Sequence, residues 1–197
     1  DQVEDEVAAL NMALGASYAG VRAMTGSSGG GFALMVEALS LAGMIEIPVV
    51  VINVQRPGPA TGFPTRTEQA DLRFMIHAGH GEFPRMIIAF RDAEDAFYQT
   101  ARAFNIAEKY QIPVLLMSDQ YLADCTTTKK PFDFSKIKIE RHISGKEAIK
   151  DEEYKPYKFT ESGISPRILP GKSPGHVVLV DSDEHDEWGN ITESDEI

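Results

Sequence analysis

Apolar residues recur at Val3, Val7, Leu10 and Leu14, the spacing of one helix face, so residues 3–19 read as an amphipathic helix. Gly15, Ala16, Ala19 and Gly20 keep one flank of that helix small, which permits close backbone packing at some cost in helix propensity. A short strand is expected over 21–25, and then a glycine-rich turn, Thr25 to Gly31 (TGSSGGG). Residues 32–44 are apolar nearly all round, the pattern of a buried helix. Residues 47–54 form a continuous apolar run, as in a parallel strand covered on both faces. The strand signal returns at 86–90 and 113–117. Between these two runs Asp92 stands as the N-cap of a helix that reaches about Tyr110, with Ala93, Ala96, Phe97, Ala101, Phe104 and Ala107 on its inner face. The alternation predicts an α/β fold, a doubly wound and mostly parallel sheet.

The pattern divides the chain into an α/β core over 1–125, an irregular excursion over 126–175 rich in Lys, Pro, Gly and Ser, and a segment 176–197. That last segment holds one more strand, at 176–180 (HVVLV), followed by acidic residues. No internal repeat is visible. The chain starts in what reads as a first helical turn, where a βα unit would have a strand before it. A piece of a larger protein is therefore the expectation.

Composition narrows the function classes. The net charge of −11 disfavours nucleic acid and anionic membrane as partners. No apolar stretch reaches the roughly 18 residues of a membrane span, and no charged-then-apolar leader opens the chain. The single cysteine, Cys125, excludes an internal disulfide and a cysteine metal cage within this chain, and fits a reducing cytoplasm. Much of the negative charge gathers at Asp181, Asp183, Glu184, Asp186, Glu187, Glu193, Asp195 and Glu196. The spacing does not match a calcium loop, so this reads as a solvated acidic segment.

Candidate chemistry sits at the mouth of the most hydrophobic strand. PVVVINVQRPGP (48–59) ends in Arg56 and then breaks, with Pro57 and Pro59 fixing the backbone and Gly58 letting it turn. In open α/β sheets, ligands bind outside the carboxyl ends of the strands, and Arg56 stands just past such an end. Its planar fork matches a carboxylate or phosphate, and a salt bridge to a neighbouring Asp or Glu is the other reading. The glycine-rich segment lines the same edge, either as a plain turn feeding a helix or as a loop whose N–H groups meet a ligand. It is neither a dinucleotide fingerprint nor a P-loop lysine motif.

These residues resemble a known family. VEDEVAALNMALGASYAGVRAMTGSSGGGFALMVEAL followed by PVVVINVQRPGPATGFPTRTEQADL is similar to the α subunit of the 2-oxoacid:ferredoxin oxidoreductases, nearest to their 2-oxoglutarate branch. The likeness runs from Val3 to Leu72, continues more loosely to 118, and returns in DEHDEWGNITES. It implies the pyrimidine-binding α/β domain of a thiamin diphosphate enzyme. Three departures stand out. The family's upstream Tyr-Pro-Ile-Thr-Pro motif and its C-terminal domain are expected outside this chain, and Ser-Ser-Gly-Gly-Gly replaces the more usual Ser-Gly-Pro-Gly.

The resemblance also implies roles. Glu6, at the family spacing from Gly15, matches the glutamate placed against N1′ of the aminopyrimidine, with Glu4 as rival in the EDE run. Without the resemblance, each carboxylate reads as first-turn helix decoration. Arg56 matches the arginine that grips the substrate carboxylate, and Thr25, Ser27 and Ser28 line the cofactor edge. Arg66 is a candidate for the distal carboxylate of 2-oxoglutarate, against a surface or subunit-interface salt bridge, while His77 and His80 read as structural or interface residues. The implied reaction is oxidative decarboxylation of a 2-oxoacid, with electrons passing to ferredoxin and the acyl group to coenzyme A. The diphosphate, its Mg²⁺ and a [4Fe–4S] cluster are expected on a partner β subunit, beside a γ domain or subunit. Two alternatives stay open: another thiamin diphosphate enzyme, such as a 2-oxoacid decarboxylase or transketolase-like subunit, or a non-catalytic α/β binding domain.

Overall fold

The computed structural model describes residues 1–145, 149 and 154–195. Among these residues four strands form one all-parallel sheet: β1 (Met24–Ser28), β2 (Val49–Gln55), β3 (Met86–Ala89) and β4 (Pro113–Asp119), in the order β1-β2-β4-β3. The longest apolar runs take the two central places. Val49, Val50 and Val51 of β2 and Val114, Leu115 and Leu116 of β4 are fully or almost fully buried, because each strand is hydrogen-bonded on both sides and covered on both faces. The edge strands begin on exposed methionines, Met24 and Met86.

Side chains alternate across the pleat and divide the core in two. Val49, Val51 and Leu115 meet α1 (Glu6–Tyr18), α2 (Gly29–Leu34), α3 (Val36–Met44) and α4 (Leu72–His77) through Leu10, Leu14, Phe32, Leu39 and Met75. Val50, Val114 and Leu116 face the other way, onto Ala103 and Ala107 of α5 (Ala93–Tyr110). Helices therefore cover both faces, and the fold is the doubly wound α/β sheet that the alternation predicts. Each fully buried Leu or Val contributes about 1.5–3 kcal/mol.

Capping follows the sequence. Asp92 accepts from the backbone N–H groups of Glu94 and Asp95 and so starts α5, and Gln111 ends it in the left-handed conformation at φ 55°. Asp5 caps α1 by accepting from Ala8 N. A short helix α6 (Gln120–Asp124) follows β4, capped by Asp119, and a 3₁₀ turn lies at Phe134–Lys136.

Several expectations change. The buried stripe of α1 is Leu10, Ala13, Leu14 and Ser17, while Val7 is 39% exposed, because the helix starts only at Glu6 and its first turn stands clear of the sheet. The glycine-rich turn is not a turn over its whole length. Thr25–Ser28 pair with Val51–Val54 as part of β1, and Gly29–Gly31 open α2. Pairing with β2 outweighs the weak strand propensity of Gly and Ser. Gly26 also needs its missing side chain, since a Cβ there would collide with the Ile52 side chain. The helix expected at 32–44 breaks at Met35 into α2 and α3, and it is not apolar-buried throughout: Leu34 is exposed.

Residues 176–180 form no strand. Val178 packs singly against Ile149, Tyr154 and Ile168, and its carbonyl accepts from Tyr18 Oη, but among the described residues no neighbouring strand offers a ladder. The described part of 126–175 folds back onto the core: Arg167 donates to Ser17 O, and Gln111 donates to Ser165 O. The acidic segment is more ordered than a solvated tail. Asp186 Oδ1 accepts from Trp188 N and Asn190 N, and Glu187 pairs with Lys155 at 2.6 Å. Glu196 lies outside the described residues. No helix is long and apolar enough to cross a membrane among the described residues.

Candidate functional site

The carboxyl ends of β1 and β2 and the first turn of α1 converge on one cleft of about 560 Å³. Glu6, Gly29, Gly30, Gly31, Arg56 and Asp71 supply its polar and close-approach surface, and Leu34 and Phe74 its apolar wall. Glu6 and Arg56, 50 residues apart in sequence (56 − 6), thus face the same space.

Glu6 is the first residue of α1 and is half-buried, with its Oε1 accepting from Ser27 Oγ at 3.1 Å. Gly31 closes over this pair. A Cβ at Gly31 would stand 2.7 Å from Glu6 Oε1 and would overlap Ser27 Oγ. Glu4 is exposed and among the described residues accepts from Gln2 alone, while Glu6, not its rival, lines the cleft.

Arg56 follows the last residue of β2. It forms no ion pair among the described residues, which removes the salt-bridge reading there. Its Nε is buried without a hydrogen-bond partner, and its Nη2 would lie 3.1 Å from a Cβ at Gly30. The missing side chain of Gly30 is what leaves that guanidinium edge uncovered. A guanidinium in a cleft with no ion-pair partner among the described residues suits an incoming carboxylate or phosphate.

The other candidates divide. Thr25 and Ser27 line a second cleft of about 390 Å³ on the far side of Glu6, together with Met24 and Gly26. Ser28 lines neither cleft; it precedes α2 without a side-chain cap. Arg66 is exposed and donates to Thr65, away from the cleft. His77 and His80 are exposed and line neither cleft.

Sequence reasoning passed over a polar shelf beneath the cleft. Asn53 and Gln55 point to the α1 face of β2 and are buried at 0% and 3% exposure. Asn53 Nδ2 donates to Asp71 Oδ2 at 2.9 Å, Gln55 Oε1 accepts from Asp71 N at 3.0 Å, and Gln55 Nε2 donates to Ser118 O at 3.1 Å. Asp71 is thereby held against Gly29, where a Cβ would stand 2.9 Å from its Oδ2. Two amides inside an otherwise apolar strand were the available signal, since buried amides require partners.

Residues 1–196 match the family described as pyruvate flavodoxin/ferredoxin oxidoreductase, thiamine diphosphate-binding. The chain belongs to this family. It is 49% identical over 194 residues to the α subunit of 2-oxoacid:ferredoxin oxidoreductase 1 from Sulfurisphaera tokodaii, a match that covers 98% of this chain and 30% of that protein. It is 36% identical over 188 residues to the 2-oxoglutarate synthase subunit KorA of Methanothermobacter thermautotrophicus, covering 95% of this chain and 48% of that subunit. Among solved structures it resembles the 2-oxoglutarate:ferredoxin oxidoreductase of Magnetococcus marinus with 2-oxoglutarate, coenzyme A and succinyl-CoA bound. That likeness has a TM-score of 0.92 at 42% identity and covers 99% of this chain and 33% of the other. The oxidoreductase-family chain described here thus spans less than half the length of each of these relatives.

Proposed function

We propose that this chain is the pyrimidine-binding part of the α subunit of a 2-oxoacid:ferredoxin oxidoreductase. The whole enzyme converts a 2-oxoacid, 2-oxoglutarate in the first instance, to an acyl-CoA and CO₂, with electrons going to ferredoxin in the cytoplasm. The observation that carries the reading is the cleft shared by Glu6 and Arg56. A non-catalytic scaffold has no use for a carboxylate and an unpaired guanidinium aimed at one space.

The residues present fit thiamin diphosphate. Gly30 and Gly31 let Arg56, Ser27 and Glu6 come close to the backbone and so gather at one cleft, and Ser27 holds one carboxylate oxygen of Glu6. The cofactor, when bound, supplies the electron sink that allows a 2-oxoacid to lose CO₂. Glu6 holds a proton at N1′ of the aminopyrimidine through its other oxygen. Arg56 grips the oxoacid carboxylate with its fork and fixes the keto carbon for attack, which gains rate by orientation. Leu34 and Phe74 give that end of the cleft an apolar wall. The diphosphate, its Mg²⁺ and the [4Fe–4S] cluster belong to a partner β subunit, accompanied by a γ domain or subunit, so the reaction needs the assembled complex.

The test is an assay of the complex purified from its source. Ferredoxin reduction that requires both 2-oxoglutarate and coenzyme A is the expected result. A complex that reduces ferredoxin with no 2-oxoacid, or that releases an aldehyde without reducing ferredoxin, contradicts the reading.

A further inference from the structure

At the other end of the sheet, one buried carboxylate faces three guanidiniums. Glu108, near the end of α5, is 4% exposed. Arg22 Nη2 lies 2.8 Å from its Oε2, Arg141 Nε 2.9 Å from its Oε1, and Arg167 Nη1 3.9 Å from the same oxygen. The carbonyl oxygens of Glu140, Gly20 and Ser17 each accept from one of these arginines, which satisfies donors without cancelling charge. Among the described residues the cluster carries an excess of two positive charges, with Arg167 as buried as Glu108, Arg22 largely buried and Arg141 half-exposed.

A cleft of about 660 Å³ opens on this cluster. Its wall carries Lys109, Arg141, His142 and Arg167, and Glu108 is the sole carboxylate among its described lining residues. Glu140 beside it pairs with Lys138 at 2.7 Å and stands 3.9 Å from His142 Nε2. Two buried polar atoms without a hydrogen-bond partner belong to this wall, Arg167 Nη1 and His142 Nε2. Such concentrated positive charge is conspicuous in a chain of net charge −11. Gln111, in the same wall, precedes the first residue of β4, so the cleft lies at the amino ends of the strands, opposite Arg56.

We propose that this cleft is a binding site for a phosphate-bearing anion. The excess of two charges matches a dianionic phosphate better than a single carboxylate. Guanidinium forks bind phosphate oxygens bidentately, and an ammonium adds a point charge. The volume exceeds that of inorganic phosphate and suits a small phosphorylated molecule.

The experiment uses the full complex, saturated with thiamin diphosphate and Mg²⁺ so that phosphate is kept from the cofactor site. Calorimetric titration with inorganic phosphate at fixed ionic strength should show saturable binding. Lys109→Gln and Arg141→Gln should each weaken it about tenfold, the size of one lost charge-assisted contact. Lys109 is exposed, so its variant decides the matter even where Arg141→Gln fails to fold. Succinate should bind at least tenfold more weakly than phosphate. The proposal is overturned by absence of saturable binding, the outcome where another part of the assembly covers the cleft. It is equally overturned by an affinity unchanged in both variants, or by succinate binding as tightly as phosphate.

Discussion

Ser27 Oγ donates to Glu6 Oε1 at 3.1 Å and so ties the end of β1 to the first turn of α1, 21 residues away in sequence. The bond leaves the second oxygen of Glu6 for the cleft and restricts how the carboxylate can rotate. Replacing Glu6 with Gln keeps an acceptor for Ser27 but removes the proton-holding group. In the assembled enzyme, C2-proton exchange of bound thiamin diphosphate and turnover should both fall by about 10²- to 10⁴-fold, the usual worth of a positioned acid or base. The melting temperature should change little. Near-normal turnover by Glu6→Gln would take Glu6 out of the mechanism.

Gly31 lies where a Cβ meets both members of that pair. Two effects oppose each other in Gly31→Ala. Helix propensity favours Ala in α2 by about 1 kcal/mol. Overpacking a filled site costs about 1–3 kcal/mol. Displacement of Ser27 and Glu6 should win, giving a small net loss of stability and at least a tenfold loss of turnover, measured by thermal melting and steady-state assay. A variant more stable than wild type with full activity would mean that the Gly31 contact is soft.

A half-buried carboxyl elsewhere gives a pH signature. Burial raises the pKa of Glu46, against the partial offsets of His185 and a hydrogen bond from Ser165. A folded pKa above the unfolded one means that the folded state holds the proton more tightly. The stability this contributes is complete below the ordinary glutamate range and is lost as pH rises through the folded value. Glu46→Gln should therefore melt higher than wild type at pH 8, with the advantage vanishing toward pH 4. A lower melting temperature for the variant at pH 8 would show instead that the fold favours the ionised carboxylate of Glu46.

The outline of the fold was readable because burial on both faces leaves a simple mark. The apolar runs that became β2 and β4 are the two central strands, and Asp92 caps α5 where a helix was expected to start. What escaped was decided by partners distant in sequence. Nothing local shows that Thr25–Ser28 would be drawn into a strand by Val51–Val54, or that Ile52 would require a glycine at 26. Residues 176–180 look like a strand yet find no ladder. The site followed the same rule. Glu6 and Arg56 were identified from a family pattern and an abrupt strand end. Asp71 became visible only when Asn53 and Gln55 were seen to hold it against Gly29.

The central claim is that Arg56 grips the oxoacid while Glu6 serves the cofactor in one cleft. Because Arg56 forms no ion pair among the described residues, Arg56→Lys should leave the melting temperature of the complex nearly unchanged. Lys keeps the charge and loses the fork. The most direct measurement is kcat/KM for 2-oxoglutarate in Arg56→Lys, taken beside C2-proton exchange on the same preparation. The account expects a rise in KM and a ten- to hundredfold fall in kcat/KM, about the worth of one charge-assisted hydrogen bond, with exchange close to wild type. An unchanged KM beside a lowered melting temperature would contradict it and return Arg56 to a structural role.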